Sequence, residues 1–215
     1  MSRPTDIAVR IGCVAVALLL WFWTQKLISR KPPAADGVGD RLHDLTGPLN
    51  AWLAARPRAA NATLIVTSAF IDLFGLYLVG ATILGPTVRP FAALLMLFAL
   101  RQLCQGLCTL PYPRGSLWRD PGFPSLLVTY GTSNDFFFSG HTSIAVLGAL
   151  ELAHAGLPWL AAAAGVVAVL EMATVIVLRA HYLMDVFTAA FVALACEAAA
   201  GRVSPLLDAW LHRLG

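Results

Sequence analysis

The sequence predicts an all-α integral membrane protein: a single domain over residues 1–215 that forms a bundle of six transmembrane helices. Hydrophobic residues make up 58% of the chain and charged residues 13%, whereas soluble domains contain about 45–50% and about 25% respectively. The mean hydropathy is +0.72. The apolar residues also gather in six segments, each close to the ~20 residues that a helix needs to cross a bilayer.

The six segments follow one another along the chain and are interrupted by two longer polar stretches. The first segment ends with the bulky residues Trp21, Phe22 and Trp23. A signal peptide would need small residues there for cleavage, so we interpret this segment as a retained helix. The predicted spans are residues 7–28, 63–84, 90–110, 139–155, 159–178 and 182–200.

The first polar stretch, residues 38–57, connects the first two spans. Its apolar residues recur at helical spacing: Leu42, Leu45, Leu49, Trp52 and Leu53. This pattern favours an amphipathic helix on the membrane surface, with an ordinary loop as the alternative. The second stretch, residues 111–137, is predicted to be a loop. Six spans put both termini on one side of the membrane and this loop on the other.

Charge and cysteine content disfavour two classes of site. The formal net charge of +3 is small and spread along the chain, so we expect no nucleic-acid partner. The cysteines have the spacing of neither a zinc site nor a disulfide framework, and we interpret them as packing residues. They are Cys13, Cys104, Cys108 and Cys196.

Two short motifs, at the starts of the fourth and sixth spans, carry the strongest chemical signal. His141 begins one span, while His181 and Asp185 are four residues apart and therefore share a helix face at the other. A carboxylate so placed can hold one imidazole nitrogen as N–H and leave the other as a nucleophile. A second histidine can then exchange a proton with the leaving group.

Neighbouring residues predict a phosphate site beside these histidines. Gly140 allows the backbone to approach a ligand closely, and the free N–H groups of the helix start after Ser139 suit an anion. Arg179 adds a positive charge close to the second histidine, and Arg101 and Arg114 are further candidates. Together, these residues favour phosphoryl transfer.

The same residues allow other interpretations. Zinc can be bound by side chains such as His141, His181 and Asp185, and either histidine alone is typical of a structural helix cap. Ser139 as a nucleophile is disfavoured because no strand-to-helix elbow precedes it. Several aromatic residues can either surround a choline cation or anchor the protein at the membrane interface: Tyr112, Trp118, Tyr130, Phe136, Phe137, Phe138 and Tyr182.

Several segments occur in an order that resembles a known group of enzymes. They are Arg101-Gln102, Thr109-Leu110-Pro111-Tyr112-Pro113, Gly122-Phe123-Pro124, residues 134–141 and residues 179–185. A Ser-Gly-His motif followed by His-x3-Asp resembles the lipid phosphate phosphatase superfamily, also called type 2 phosphatidic acid phosphatases. The details are most similar to its transferase branch, which contains the sphingomyelin synthases and the plant phosphatidylcholine:diacylglycerol cholinephosphotransferases.

This resemblance implies an activity and a role for each residue. His181 would attack phosphorus to form a phosphohistidine, Asp185 would orient it, and His141 would protonate the departing lipid oxygen and later deprotonate the acceptor hydroxyl. The implied function moves a phosphocholine-type headgroup from a glycerophospholipid donor to a lipid alcohol acceptor, diacylglycerol or ceramide. The resemblance implies no dissociable cofactor and no metal.

Two alternative functions are retained. In a lipid phosphate phosphatase, water would replace the lipid acceptor, but the phosphatase motif Lys-x6-Arg-Pro is absent from the chain. A non-catalytic membrane scaffold or lipid carrier belongs to another class, and the presence of both histidines and the aspartate disfavours it. Asp135, six residues before His141, is the candidate partner for a choline cation, with hydrogen bonding to a histidine as its alternative role.

Two indications disagree about which side of the membrane carries the site. Lysine and arginine are more numerous on the motif side, which favours a cytoplasmic location. The resemblance implies an exoplasmic site instead. We expect an integral protein of a bacterial inner membrane with an exoplasmic active site.

Overall fold

The structure is a computed structural model that describes residues 4–30, 38–130 and 136–214. Within these ranges all regular secondary structure is α-helical, which confirms the predicted α-helical membrane bundle. The helices are α1 (Pro4–Ile28), α2 (Arg41–Leu45), α3 (Gly47–Ala54), α4 (Pro57–Leu84), α5 (Arg89–Leu107), α6 (Gly140–His154), α7 (Pro158–Val177) and α8 (Leu183–Leu214).

Among the described helices, five are long and apolar enough to cross a membrane: α1, α4, α5, α7 and α8. Helix α6 has 15 residues, about 22 Å at 1.5 Å per residue, and is therefore shorter than the ~30 Å hydrocarbon core. Five full-length helices and one shorter helix thus occupy the place of the six predicted spans. Helix α8 continues through Pro205 to Leu214, beyond the predicted end at residue 200.

The short helix α6 lies at the centre of the bundle and packs against α4, α7 and α8. Its contact with α4 is closest at Gly148, where a Cβ atom would lie 2.5 Å from the ring of Phe74. Phe74 and Leu147 belong to the buried core around this contact. Because α6 is surrounded mainly by protein, its position does not depend on spanning the full thickness of the lipid.

Among the described residues, three pairs of titratable residues lie at the end of the bundle where α1 begins and α8 ends, and pairing lowers the cost of placing such residues in a membrane. The pairs, with their closest distances, are Arg89–Glu151 at 2.7 Å, His154–Glu197 at 3.3 Å and Asp6–His212 at 3.7 Å. Asp6 and His212 stand near the two chain ends, so both ends of the described chain lie at this face.

The polar connector forms the two short helices α2 and α3. Leu45, Leu49 and Trp52 are exposed on them, whereas His43 and Asn50 are buried. The buried pair hydrogen-bonds to backbone at the end of α7 and in the loop that follows it. The connector therefore presents apolar side chains outward and uses polar ones to hold the neighbouring backbone.

Candidate active site

A cavity lies where the start of α6 meets α5 and the loop between α7 and α8. His141, His181, Gly140 and Arg101 line it. The two histidines are 7% and 6% exposed, and Arg101 is 5% exposed. The fold thus places both predicted catalytic histidines beside one cationic side chain in a largely enclosed space.

His181 is oriented by a hydrogen bond from its Nδ1 atom. Nδ1 donates to the carbonyl oxygen of Phe136 over 2.9 Å. A carbonyl oxygen can only accept, so Nδ1 carries a proton and Nε2 of the neutral ring keeps its lone pair. The imidazole is therefore held in the tautomer that a nitrogen nucleophile requires.

Asp185 lies near the imidazole of His181 but does not accept the direct hydrogen bond that the four-residue spacing predicts. Its Oδ2 atom lies 3.6 Å from Nδ1 of His181 and accepts a hydrogen bond from the backbone N–H of Tyr182 over 2.9 Å. The buried carboxylate thus fixes the loop that carries His181 and provides negative charge beside the ring. The nearer orienting group is a backbone carbonyl, which sequence spacing cannot indicate.

His141 occupies the first turn of α6, where its side chain is available to a ligand. Ser139 caps this helix, because its hydroxyl accepts the backbone N–H of Thr142 over 3.3 Å. The ring of Trp118 packs edge-on against the imidazole with centroids 5.0 Å apart. Nε2 of His141 is buried and has no hydrogen-bond partner among the described residues, and such a group in a cavity is suited to binding a substrate atom.

Arg101 brings positive charge directly to the start of α6. Its Nε donates to the carbonyl oxygen of Phe138 over 2.9 Å. A Cβ atom on Gly140 would lie 3.4 Å from that Nε, so the absence of a side chain there lets the guanidinium and the helix terminus lie side by side. A guanidinium beside N-terminal backbone N–H groups suits phosphate oxygens.

Three other predicted ligands face a second polar cavity, behind the loop between α7 and α8. Arg114, Arg179 and Tyr182 line it together with His43. The backbone turns at Arg179, where φ is 57°, and its guanidinium donates to the carbonyl oxygen of His43. Burial lowers the pKa of Arg179, while the carboxylate of Asp40 opposes that shift. Arg179 is thus close in sequence to the second histidine but faces away from the histidine cavity.

The aromatic residues divide between the cavity and its surroundings. Trp118 and Phe136 line the cavity, and Tyr112 packs edge-on against Phe136 with centroids 5.1 Å apart. Tyr130 packs against Trp118. Asp135, the predicted partner of a choline cation, lies outside the described residues.

The connector supports the loop that carries His181 in a way that the sequence analysis did not predict. Nε2 of His43 donates to the backbone carbonyl oxygen of His181 over 2.9 Å. Nδ2 of Asn50 donates to the carbonyl oxygen of Val177 over 2.8 Å. The sequence feature that could have indicated this support is the position of His43 and Asn50 among the regularly spaced apolar residues of the connector.

The loop that precedes α6 is fixed from another direction. The carboxylate of Asp72, on α4, accepts the backbone N–H groups of Leu126 and Leu127, each over 2.9 Å. Leu127 also lines the histidine cavity. An acidic residue within a predicted span thus has a structural partner in the loop.

The arrangement combines an imidazole whose Nε2 is left with its lone pair, a second imidazole and a helix start beside a guanidinium. These are groups that suit phosphoryl transfer through a histidine. Within the described ranges, histidine, cysteine, aspartate and glutamate side chains do not group in threes as a metal site needs. His141, His181 and Asp185 are described residues and do not form such a group, so the structure does not support the zinc interpretation.

Comparison with known proteins places the chain in a family. A family model described as AtPDCT1/2 matches residues 40–202. The chain is 23% identical over 198 residues to phosphatidylcholine:diacylglycerol cholinephosphotransferase 1 of Arabidopsis thaliana, an alignment that covers 92% of this chain and 64% of that protein. The chain thus spans less than two thirds of the length of that relative, and no solved structure matches it significantly. Because the family model covers well over half of the chain, the protein belongs to the AtPDCT1/2 family, which confirms the resemblance found from its motifs.

Proposed function

We propose that the protein transfers a phosphocholine-type headgroup from a glycerophospholipid to a lipid alcohol through a phosphohistidine intermediate. One observation carries the proposal: the hydrogen bond from Nδ1 of His181 leaves Nε2 with its lone pair in a cavity that also holds His141 and Arg101. The name of the Arabidopsis relative, a phosphatidylcholine:diacylglycerol cholinephosphotransferase, supports phosphocholine as the group and diacylglycerol as the acceptor.

In the first half-reaction, Nε2 of His181 attacks the phosphorus of the donor. The bond between phosphorus and the lipid oxygen breaks, and His141 gives a proton to that oxygen, so diacylglycerol leaves. Arg101 and the N-terminal amides of α6 stabilise the phosphoryl oxygens as charge develops on them. Asp185 stabilises the positive charge that forms on the imidazole of His181.

In the second half-reaction, the hydroxyl of a lipid alcohol takes the place of the lipid that has left. His141 accepts the hydroxyl proton, the lipid oxygen attacks phosphorus, and the bond to His181 breaks with its electron pair returning to Nε2. Trp118 and Phe136 line the same cavity, and their rings offer faces for the quaternary ammonium of choline. Their apolar surface also keeps water scarce near the intermediate, which favours a lipid hydroxyl over hydrolysis.

The proposal includes the location of the site. In this proposal the protein lies in a bacterial inner membrane, and the histidine cavity is at the exoplasmic face, which is the side that the resemblance implies. The ends of the described chain lie at the opposite face, so a reporter fused to the C-terminus should be cytoplasmic. An exoplasmic C-terminal reporter would contradict this orientation.

The deciding experiment follows a labelled headgroup. Purified protein in mixed micelles is incubated with choline-labelled phosphatidylcholine and with diacylglycerol, ceramide or no acceptor. We expect label in a new phospholipid when a lipid alcohol is present, little free phosphocholine, and no transfer by His181→Ala. Phosphate release from phosphatidic acid without transfer to any acceptor would instead support the phosphatase. Absence of turnover with every donor would support the scaffold or carrier.

A further inference from the structure

An apolar groove adjoins the histidine cavity in the membrane-spanning part of the bundle. It lies between α1, α4 and α5 and shares four lining residues with the cavity, namely Trp21, Phe98, Leu127 and Ile144. Its remaining lining residues are also all apolar. The two spaces therefore adjoin each other: the histidines line the polar one, and apolar residues line the other.

The groove runs along the helix axes, as a lipid chain does in a bilayer. Helix α1 lines it from Trp21 to Val14 and helix α5 from Phe98 to Phe91, and in each case the two end residues are seven positions apart. At 1.5 Å per residue this length is roughly 10 Å, about a third of the ~30 Å hydrocarbon core. Leu95, in the same lining, is 49% exposed, so the groove is open laterally toward lipid.

The junction between cavity and groove contains a polar atom without a partner. Trp21 is 9% exposed, and its ring packs against Phe98 with centroids 5.4 Å apart. Its Nε1 is buried and has no hydrogen-bond partner among the described residues. A buried indole N–H normally finds an acceptor, and a lipid ester carbonyl lies at the corresponding place, between a headgroup and its acyl chain.

The position of the groove relative to the histidines indicates which lipid it serves. Ile144 stands one helical turn beyond His141 on the same face of α6, and both line the cavity while Ile144 also lines the groove. In the proposed reaction His141 exchanges its proton with the oxygen of the diacylglycerol moiety, first as leaving group and then as acceptor. That moiety must therefore lie on the side of the groove.

We infer that the groove between α1, α4 and α5 binds an acyl chain of the diacylglycerol moiety, and that Nε1 of Trp21 donates a hydrogen bond to its ester carbonyl. One subsite serves both half-reactions, because the departing and the entering lipid present the same oxygen to the same histidine. The inference rests on the proposed function for the identity of the lipid. The groove itself is tested below without turnover.

The first test uses two alanines on α1 that differ in their relation to the groove. Ala17 lines it, whereas Ala15 is exposed and lies outside it. Ala17→Phe should lower kcat/KM for a long-chain diacylglycerol by roughly tenfold, as expected when about two methylene groups lose their burial, and should leave short-chain diacylglycerol transfer nearly unchanged. Ala15→Phe should change neither. An equal response of long and short chains to Ala17→Phe would overturn the inference.

The second test addresses Trp21 through the linkage of the acceptor. The wild type should use an ester-linked diacylglycerol better than the ether-linked analogue, which lacks the carbonyl. Trp21→Phe keeps an aromatic ring against Phe98 but removes the donor, and should reduce this preference to near unity. A preference that persists in the variant would remove Trp21 from the subsite.

The third test is photolabelling, which separates this inference from the proposed function. A diacylglycerol with a diazirine in the middle of one chain is irradiated with the detergent-solubilised protein, and labelled peptides are identified by mass spectrometry. We expect label on residues 14–21 and 91–98 in the wild type and in His181→Ala, and less in Ala17→Phe. Labelling without transfer would retain the groove and reject the reaction. Transfer with label spread evenly over the outer helix faces would retain the reaction and reject the groove.

Discussion

At the scale of single residues, the candidate site depends on backbone groups as much as on side chains. The carbonyl oxygen of Phe136 sets the tautomer of His181, and that of Phe138 anchors Arg101. Both carbonyls belong to the segment just before α6. The same short segment therefore positions His181 and Arg101, and it does so through atoms that every residue type possesses.

A donor whose leaving group needs no proton should restore the activity of a His141 variant but not that of a His181 variant. His181→Ala removes the nucleophile and should lower kcat by roughly 10⁴-fold or more with every donor. His141→Ala removes the acid and should lose comparable activity with phosphatidylcholine, but should retain turnover of a nitrophenyl phosphodiester, whose leaving group departs without protonation. Rates of nitrophenol release for the two variants check this prediction. Equal losses with both donors in His141→Ala would contradict its assignment as the acid.

Asp185 should contribute less than a carboxylate bonded directly to the nucleophilic histidine. Oδ2 lies 3.6 Å from Nδ1 of His181, and a carbonyl oxygen already accepts a hydrogen bond from that nitrogen. Asp185→Asn should therefore lower kcat by about 10–100-fold, as for the groups that orient the histidine ligands of metal sites. Single-turnover rates measure the effect on the chemical step. A loss as large as that of His181→Ala would indicate direct participation of the carboxylate.

Substitution of Arg101 and of the exposed Arg119 tests whether the effect of an arginine on kcat depends on its location. Arg101→Met removes the charge beside α6 and should lower kcat by about 10²–10³-fold, typical of a donor that stabilises a developing charge. Arg119 is exposed and donates to the side chain of Asn61, so Arg119→Met should leave kcat unchanged. Steady-state kinetics on both variants check the pair. Equal effects would show that overall charge, and not the location of Arg101, governs the rate.

At the scale of elements, the connector made of α2 and α3 serves as a support for the loop between α7 and α8. Its hydrogen bonds reach that loop through His43 and Asn50. Leu45 and Trp52 are exposed on the same two helices, and an apolar face of this kind suits the membrane interface. The connector therefore combines an exposed apolar face with the hydrogen bonds that hold the loop of His181.

Asn50 tests this support. Asn50→Leu keeps a similar volume but leaves the carbonyl oxygens of Gly115 and Val177 without their donor. Loss of these buried hydrogen bonds should lower the free energy of unfolding by about 1–3 kcal/mol and should lower kcat through displacement of the loop that carries His181. Asn61→Leu, which removes only the exposed bond to Arg119, serves as control. The apparent midpoint of thermal unfolding and kcat are the measurements, and unchanged values in Asn50→Leu would contradict a supporting role.

At the scale of the whole molecule, the two ends of the bundle differ in chemistry. One end holds the histidine cavity and the polar loops, while the other closes through ion pairs such as Arg89–Glu151, which joins α5 to α6. The centre is apolar and contains the short helix α6. The ion pair therefore fixes the far end of α6, the helix whose start carries His141.

Breaking this ion pair should destabilise the bundle more than removing both partners. Arg89→Met leaves the buried carboxylate of Glu151 unpaired and should cost about 3–5 kcal/mol, whereas the double variant with Glu151→Met should recover most of that loss. Arg202→Met, at an exposed position, is the control. Apparent unfolding midpoints in detergent should decrease in the order control, double variant, single variant. A double variant less stable than Arg89→Met would contradict the expectation.

Local patterns in the sequence were sufficient for the class of fold and for the pair of histidines. Apolar segments of spanning length determine an α-helical membrane bundle, because backbone polar groups in lipid must be satisfied within each helix. The spacing of His181 and Asp185 and the Ser-Gly-His motif before α6 indicate their chemistry at the same local level.

Only the tertiary structure decided which partners these residues meet. Arg101, forty residues from His141 in the chain, lines its cavity, whereas Arg179, two residues from His181, faces another. The carbonyl that orients His181 and the groove shared by α1, α4 and α5 likewise join segments distant in sequence. The physical reason is that helix periodicity relates only residues within a few turns, while the direction of a loop and the packing of helices relate residues that no sequence spacing connects.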